Sequence, residues 1–385
     1  MEESDMAIKL FEPTFDVDAC LKELRECLEL GWTGMGYKTA AMEQAWTKYT
    51  GLPHALFLNS CTAALNLSLN ILKQWYHWDD SCEVITTPNT FISTNHAILR
   101  NRLVPVFADI NDTFCLDPTS VERHITDKTR AVVFVGIGGN TGDYEQIASL
   151  CRARSLKLIL DASHMAGTTL HQKPVGGEAD AVCYSFQAVK NLPTGDSGML
   201  CFAEEALDKI ARKKSWLGIS KDTYARSNRS EGYQWEYEVE YLGNKYNGNS
   251  IMAAVALAQL PHLDEGNARR RAIYEQYRRL LAPVSDKIEF ARIPESCQSS
   301  CHLFQIIVQN RNELIQHLRN RGISTGVHYI SNTRYPMYRA AYDRSMYAEY
   351  LSDHVVSLPM HLRLSENDVE AVAEAVIEFE RGQSS

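Results

Sequence analysis

Short apolar runs alternate with stretches of helical periodicity through the first half of the chain. Val17, Cys20, Leu21, Leu24 and Leu28 recur at helical spacing after Asp16, which predicts an amphipathic helix with these residues as its apolar face, ending at Gly31. Strand-like runs follow at 55–59, 83–87, 104–109, 131–136, 157–162, 181–186 and 199–203. Each is almost continuously apolar, as strands are when helices cover both faces of a mainly parallel sheet, so the pattern predicts an α/β fold. After Asn247 the texture changes to a long helical region from about Ile251 through Leu281, then a strand-like FQIIVQ and a helix from Glu313 to Arg321. Val369, Val372, Ala373 and Val376 space a last helix over 366–380. The expected division is a large domain over 1–250 and a small C-terminal domain over 251–385.

Composition narrows the class. The chain has 385 residues, 45% of them hydrophobic and 23% charged, which suits a soluble globular protein. No apolar stretch reaches the roughly eighteen residues that span a bilayer, and the N-terminus lacks a basic stretch followed by an apolar run, so the expected location is cytoplasmic. A formal net charge of -9 argues against broad binding to nucleic acid or an anionic membrane. The ten cysteines are not spaced as a disulfide scaffold or a zinc site, and Cys297, Cys301 and His302 lack a fourth ligand nearby, so no metal is expected.

The chemistry concentrates between Leu158 and Leu200. Asp161 ends an apolar strand, and in open α/β sheets ligands bind at the carboxyl ends of strands. Lys190 follows the next strand, just before Pro193 and Gly195, so it too projects from a strand-end loop. A lysine partly desolvated there can be a neutral amine able to form a Schiff base. A lysine that binds an aldehyde and an acid that keeps a ring nitrogen protonated form the pair that pyridoxal 5'-phosphate needs. FLNSCTAALNLSLNIL reads as strand, turn and helix with Ser60 as N-cap, leaving the amides of Cys61 and Thr62 to face a phosphate. Phe91 falls on a loop at the same sheet edge, where an aromatic can stack on a flat ring.

In order along the chain, NSCTAAL, TTPNTFIST, DASHMAG, SFQAVKNLPTGDSGM, the Tyr246–Asn247 pair, AAVALAQL, GVHY and SLPMHLRLSENDV resemble the DegT/DnrJ/StrS family of sugar aminotransferases, from about Gly31 to Val376. The resemblance implies a fold type I aminotransferase, with a large mainly parallel mixed sheet covered by helices on both faces and a smaller C-terminal α+β domain. It implies catalytic Lys190 and Asp161, the lysine carrying pyridoxal phosphate and shuttling protons, the acid pairing with the ring nitrogen. His164 would hydrogen-bond the ring hydroxyl, Phe91 would stack on the ring, and Cys61, Thr62 and Ser185 would hold the phosphate. Asn247 resembles an asparagine that reaches across a homodimer interface to the partner's phosphate, and His328 and Tyr329 match a segment beside the sugar cleft. The implied substrates are an amino-acid donor, L-glutamate, and a keto-sugar linked to a nucleotide.

Several residues depart from the family pattern. Cys61 stands where the family has Gly, Asn249 where it has Arg, and Gly195-Asp196-Ser197-Gly198 where it has GEGG. The stretch VGIGGNTGDYEQI replaces a shorter G-x-P-x-D-x-x-x-I pattern, and its loop is expected to contact substrate or a partner subunit. The same glycines offer a competing reading as an NAD-linked nucleotide-sugar oxidoreductase or epimerase, but Thr141 occupies the third glycine position of G-x-G-x-x-G. A non-catalytic sensor of the same fold is the other alternative, and Lys190 together with Asp161 argues against it. A dehydratase of the same family would carry histidine at position 190. The run Arg269, Arg270, Arg271 reads as a solvated or interdomain face, the basic stretch from Arg212 to Arg229 as a possible diphosphate site, and His54 and His96 as structural residues.

Overall fold

The computed structural model describes residues 7–220, 237–341, 343 and 346–382. Its strands are β1 (His54–Leu58), β2 (Glu83–Thr86), β3 (Val104–Phe107), β4 (Thr129–Val135), β5 (Lys157–Asp161), β6 (Thr169–Leu170), β7 (Lys173–Pro174), β8 (Ala181–Ser185), β9 (Gly198–Phe202), β10 (Glu289–Phe290), β11 (Cys297–Gln298), β12 (Phe304–Ile307) and β13 (Val355–Leu358). Seven form one sheet in the order β1-β9-β8-β5-β4-β2-β3. Strand β9 runs antiparallel to both neighbours, and β8, β5, β4, β2 and β3 run parallel. The carboxyl ends of the parallel strands therefore share one edge, where Val135 pairs with Asp161 and Asp161 with Cys183.

Helices cover both faces, which explains the unbroken apolar runs. Alternate residues divide between two cores: Val132, Phe134, Leu158 and Leu160 enter one with Trp46, while Ala131, Val133 and Ile159 enter the other with Leu65 and Leu69 of the helix Cys61–Trp75. A third core lies around the antiparallel sheet β10-β12-β13, where Phe304 and Val356 meet Ile273, Leu314 and Val376 from the helices Leu263–Leu280, Arg311–Asn320 and Glu366–Gly382. The N-terminal segment is tied to this last unit. Ile8 N–H donates to Gly322 O at 3.0 Å, Ser324 N–H donates to Ile8 O at 2.8 Å, and Met360 N–H donates to Leu10 O at 3.1 Å.

Two expectations from periodicity need correcting. The helix Val17–Glu29 forms after its Asp16 cap, but it buries Cys20 and Cys27 against the helix Ser250–Gln259, and Val17, Leu21 and Leu28 stand exposed at 62%, 56% and 65%. Its apolar residues exceed what one neighbour can cover. The helical region from Ile251 to Leu281 is also not continuous: it breaks at Leu260–His262, where Pro261 lacks the N–H that an uninterrupted helix needs.

Trp46 is fully buried, with ring centroids 4.9 Å from both Tyr184 and Phe186 at steep interplanar angles. Trp46→Ala is expected to cost about 3–5 kcal/mol, read as a lower midpoint in urea denaturation.

Candidate active site

A cavity of about 460 Å³ opens at the carboxyl edge of the large sheet, walled on its other side by Phe11, His302, His328 and Tyr329. Lys190 enters it from the loop after β8. That loop is cinched at its base, where Ala188 N–H donates to Gly195 O at 2.9 Å and the Thr194 hydroxyl donates to Phe186 O at 2.6 Å. Removal from water disfavours the Lys190 ammonium and outweighs the opposing pull of Asp161, lowering its pKa from 10.5 to about 8.

Asp161 lies 3% exposed at the end of β5. The Thr94 hydroxyl donates to its Oδ2 at 2.8 Å, and the Ser163 hydroxyl and N–H donate to its Oδ1 at 2.6 and 3.1 Å. With the Ser163 proton committed to the carboxylate, the Cys61 thiol at 3.1 Å is left to donate to Ser163 Oγ. Burial pushes the Cys61 pKa well up, so the thiol stays protonated. The cysteine that departs from the family glycine thus extends the network around Asp161. Thr94 and Ser163 carried no signal in the sequence beyond their closeness to Phe91 and Asp161.

At the far end of the cavity the helix Cys61–Trp75 points its N-terminus inward. Ser60 caps it, with Oγ accepting from Ala63 N–H at 3.1 Å and its carbonyl accepting from Ala64 N–H. The first-turn N–H groups of Cys61 and Thr62 have no helical acceptor and line the cavity beside Ser185, at the end of β8. Gly198 makes this approach possible: a Cβ there would lie 2.6 Å from Cys61 N. Phe91, 57% exposed, caps the next helix at the cavity mouth, its ring 6.1 Å from Tyr329. A residue so exposed is not core.

His164 sits on the floor. Gly138 N–H donates to its Nδ1 at 3.2 Å, so the neutral ring carries its proton on Nε2, which meets the Tyr329 hydroxyl at 3.3 Å. Burial, reinforced by Lys190 and His328, holds its pKa well below the usual histidine range. His328 is lowered to about 4 by burial and Lys190, and its Nδ1 lies 2.8 Å from Ser357 Oγ. The glycine-rich loop after β4 is spent on this floor. It is largely buried within the chain, a Cβ on Gly139 would lie 2.1 Å from Ser300 Oγ, and only Gly136 lines the cavity.

Asn247 stays outside this chain's cavity, with Nδ2 donating to Gly248 O at 2.9 Å and Oδ1 buried without a partner among the described residues. Arg269, Arg270 and Arg271 are not a fully solvated run: they donate to the carbonyls of Leu364, Met360 and Ser299, because their helix packs against two chain segments that present carbonyls to it. Of the basic stretch, Lys221, Arg226 and Arg229 lie outside the described residues, and Arg212 pairs with Glu43 and Asp208 rather than facing the cavity. His96 bonds the Tyr338 hydroxyl at 2.9 Å. His302, considered in the sequence only as a metal ligand, and Phe11 both line the cavity.

The family model described as the DegT/DnrJ/EryC1/StrS aminotransferase family matches residues 16–377. The chain belongs to that family. It is 34% identical over 374 residues to the spore coat polysaccharide biosynthesis protein SpsC of Bacillus subtilis (strain 168), with 94% of each chain covered. It is 31% identical over 373 residues to a dTDP-4-dehydro-2,3,6-trideoxy-D-glucose 4-aminotransferase of Saccharopolyspora spinosa, with 95% of each covered. Among solved structures, the PMP form of Spr1654 from Streptococcus pneumoniae superposes with a TM-score of 0.88 at 28% identity, covering 97% of this chain and 99% of that one. Its PLP form gives 0.87 at 27% identity over the same shares. The chain is thus a pyridoxal-phosphate-dependent sugar aminotransferase with a fold type I architecture, of a family at work in deoxyaminosugar biosynthesis. Family membership displaces the oxidoreductase and sensor readings. No described helix is long and apolar enough to cross a membrane.

The lowered pKa of Lys190 has a direct chemical signature. In the chain freed of cofactor, its amine is expected to react with a small aldehyde with a midpoint near pH 8, the ammonium form dominating below it, whereas ordinary lysines keep a midpoint near 10.5. Reductive trapping across pH, with Lys190 quantified by peptide mass spectrometry, measures this.

Proposed function

We propose that this aminotransferase moves an amino group from L-glutamate to a keto-sugar carried on a nucleotide, using pyridoxal 5'-phosphate held by Lys190. The observation that carries the reading is the convergence of Lys190 and the buried Asp161 in one cavity, with helix amides at its far end. The cavity's donor set fits the cofactor: a weakly basic amine, a carboxylate with lone pairs left over, unspent N–H groups and an exposed aromatic. Lys190 would bind its aldehyde carbon, and Asp161 would keep its ring nitrogen protonated. Cys61 and Thr62 amides and the Ser185 hydroxyl would hold its phosphate, Phe91 would stack on its ring, and the His164 Nε2 hydrogen would meet its ring hydroxyl. When bound, the cofactor supplies an electron sink.

Once free, Lys190 would take the proton from the donor's α-carbon and, in the reverse sense, return one at the sugar carbon that receives the amino group. Thr94 and Ser163 donate to the two oxygens of Asp161 and hold the carboxyl in place. His328 and Tyr329, on the wall opposite the sheet, would contact the sugar. In this reading residues 1–250 form the cofactor-binding domain and 251–385 the small domain, and the enzyme works in the cytoplasm as a homodimer. Asn247, lying outside its own cavity, would complete the partner's phosphate site by turning its Nδ2, which here donates to Gly248 O, toward that phosphate. The uncovered Val17, Leu21 and Leu28 suit burial against a second copy.

Lys190→Ala is expected to abolish turnover, and the native enzyme to show ping-pong kinetics; wild-type rates in the variant would overturn the assignment. Mixing the pyridoxamine phosphate form with a panel of keto nucleotide-sugars and following the cofactor's visible absorbance identifies the acceptor. No response from any nucleotide-linked sugar would overturn the nucleotide linkage. Asn247→Ala is expected to weaken cofactor affinity about tenfold in a holoenzyme that sediments as a dimer, and unchanged affinity would remove Asn247 from the site.

A further inference from the structure

Five aromatic rings form a closed circuit along one side of the cavity. The Phe11 ring stacks on His302 at 5.6 Å, His302 lies 4.3 Å from His164, and His164 stacks on Tyr329 at 6.3 Å. Tyr329 meets His328 edge-on at 5.0 Å, and His328 returns edge-on to Phe11 at 5.7 Å. Four of the five are also tied by polar groups. Gly138 N–H donates to His164 Nδ1, and Nε2 of that ring meets the Tyr329 hydroxyl. Asn191 Nδ2 is spent on Asn267 Oδ1 and Ser300 O, so Asn191 Oδ1 accepts from His302 Nδ1 at 2.8 Å. His328 Nδ1 lies 2.8 Å from Ser357 Oγ.

The fifth ring is placed by backbone alone. Ile8 pairs with Gly322 and Ser324, Leu10 O accepts from Met360 N–H, and Lys9 O lies 3.0 Å from His361 Nε2. Gly326 admits this segment against His328: a Cβ there would lie 2.7 Å from Leu10 Cδ2 and 2.9 Å from His328 Cε1. Phe11 also belongs to the wall of a second cavity of about 40 Å³, together with Arg270 and His361. The buried Arg270 guanidinium donates to Met360 O, and His361 Nδ1 is buried without a partner among the described residues. Phe11 is thus an apolar residue common to a cavity of uncharged imidazoles and a small one whose polar groups can still take up water.

We propose that Phe11 is a positioning residue for His328: its ring, delivered by the N-terminal segment, closes the circuit and holds the imidazole on the sugar-facing wall, shut off from water. This rests on the reading of His328 as a residue that contacts the keto-sugar. Burial first and Lys190 second lower the His328 pKa to about 4. The titratable groups facing it are Lys190, His164, His302 and Tyr329. Burial keeps the two histidines and the phenol uncharged, and Lys190 acts in the same direction as burial. A rise in the His328 pKa on loss of Phe11 therefore reports water reaching the imidazole.

The test uses the full chain, with wild type and variants in the same cofactor state. Nuclear Overhauser contacts are expected in the wild type between the Phe11 ring hydrogens and the imidazole hydrogens of both His302 and His328; their absence would overturn the proposal, and no variant is needed to see it. NMR of ring-labelled histidine, with the His328 signal assigned by its loss in His328→Gln, reads the His328 titration. Phe11→Ala is expected to raise its midpoint by about one unit, toward the ordinary 6.5, and Phe11→Tyr to keep it near the native value. A midpoint unchanged in folded Phe11→Ala, or raised equally by Phe11→Tyr, would overturn the proposal. The sugar reading fails separately: an unchanged KM of His328→Gln for the keto nucleotide-sugar that responds in the absorbance panel would remove His328 from the sugar and leave these NMR results as they are.

Discussion

A carboxylate taken out of water at the end of a central strand has to be met by donors, and at Asp161 they come from two residues, one of them backed by a third. Thr94 arrives from the helix after β2, Ser163 from the turn after Asp161 itself, and Cys61 supports Ser163 from the helix after β1. An unmet charge there would cost several kcal/mol. Satisfying it ties the first turns of two helices to the strand edge, which fixes where the helix amides and Phe91 stand relative to the acid. The geometry of the cofactor end of the cavity follows from this one requirement.

The opposite wall solves a different electrostatic problem. Lys190 reacts as a neutral amine, and the low-dielectric cavity enlarges that fraction by lowering its pKa to about 8. The same desolvation, with Lys190 itself, keeps His164, His302 and His328 uncharged. Three imidazoles thus line the cavity with a lysine without adding positive charge: Gly138 N–H and the Asn191 amide oxygen assign the ring nitrogens of His164 and His302, and His328 Nδ1 meets the Ser357 hydroxyl. Backbone amides and neutral side chains give directional control where further charges would raise the cost of burial.

The placement of Lys190, Asp161, Ser60 and the large sheet was legible because each depends on local pattern. An apolar strand ending in a polar residue, and a serine before a helical run, carry their meaning within a few positions. Phe11, Thr94 and His302 were not legible in this way. Phe11 belongs to a segment placed by pairing with Gly322 and Ser324, more than three hundred positions away, and His302 follows a loop that packs on Gly138. The N-terminal helix shows a related limit. Its periodicity is real, but which stripe is buried depends on the helix it meets, and that neighbour selected Cys20 and Cys27 over Val17, Leu21 and Leu28.

The sequence by itself determined the order of strands and helices, the strand-end position of the acid and the lysine, and the capped helix that offers its amides. These follow from backbone propensity and side-chain periodicity, which act over short distances. Only the tertiary structure decided the tautomers of the histidines, the use of the glycine-rich loop as a floor beneath His164, and the donors that hold Asp161. Those depend on which buried polar groups meet across the fold, and a buried hydrogen bond is specified by both partners at once.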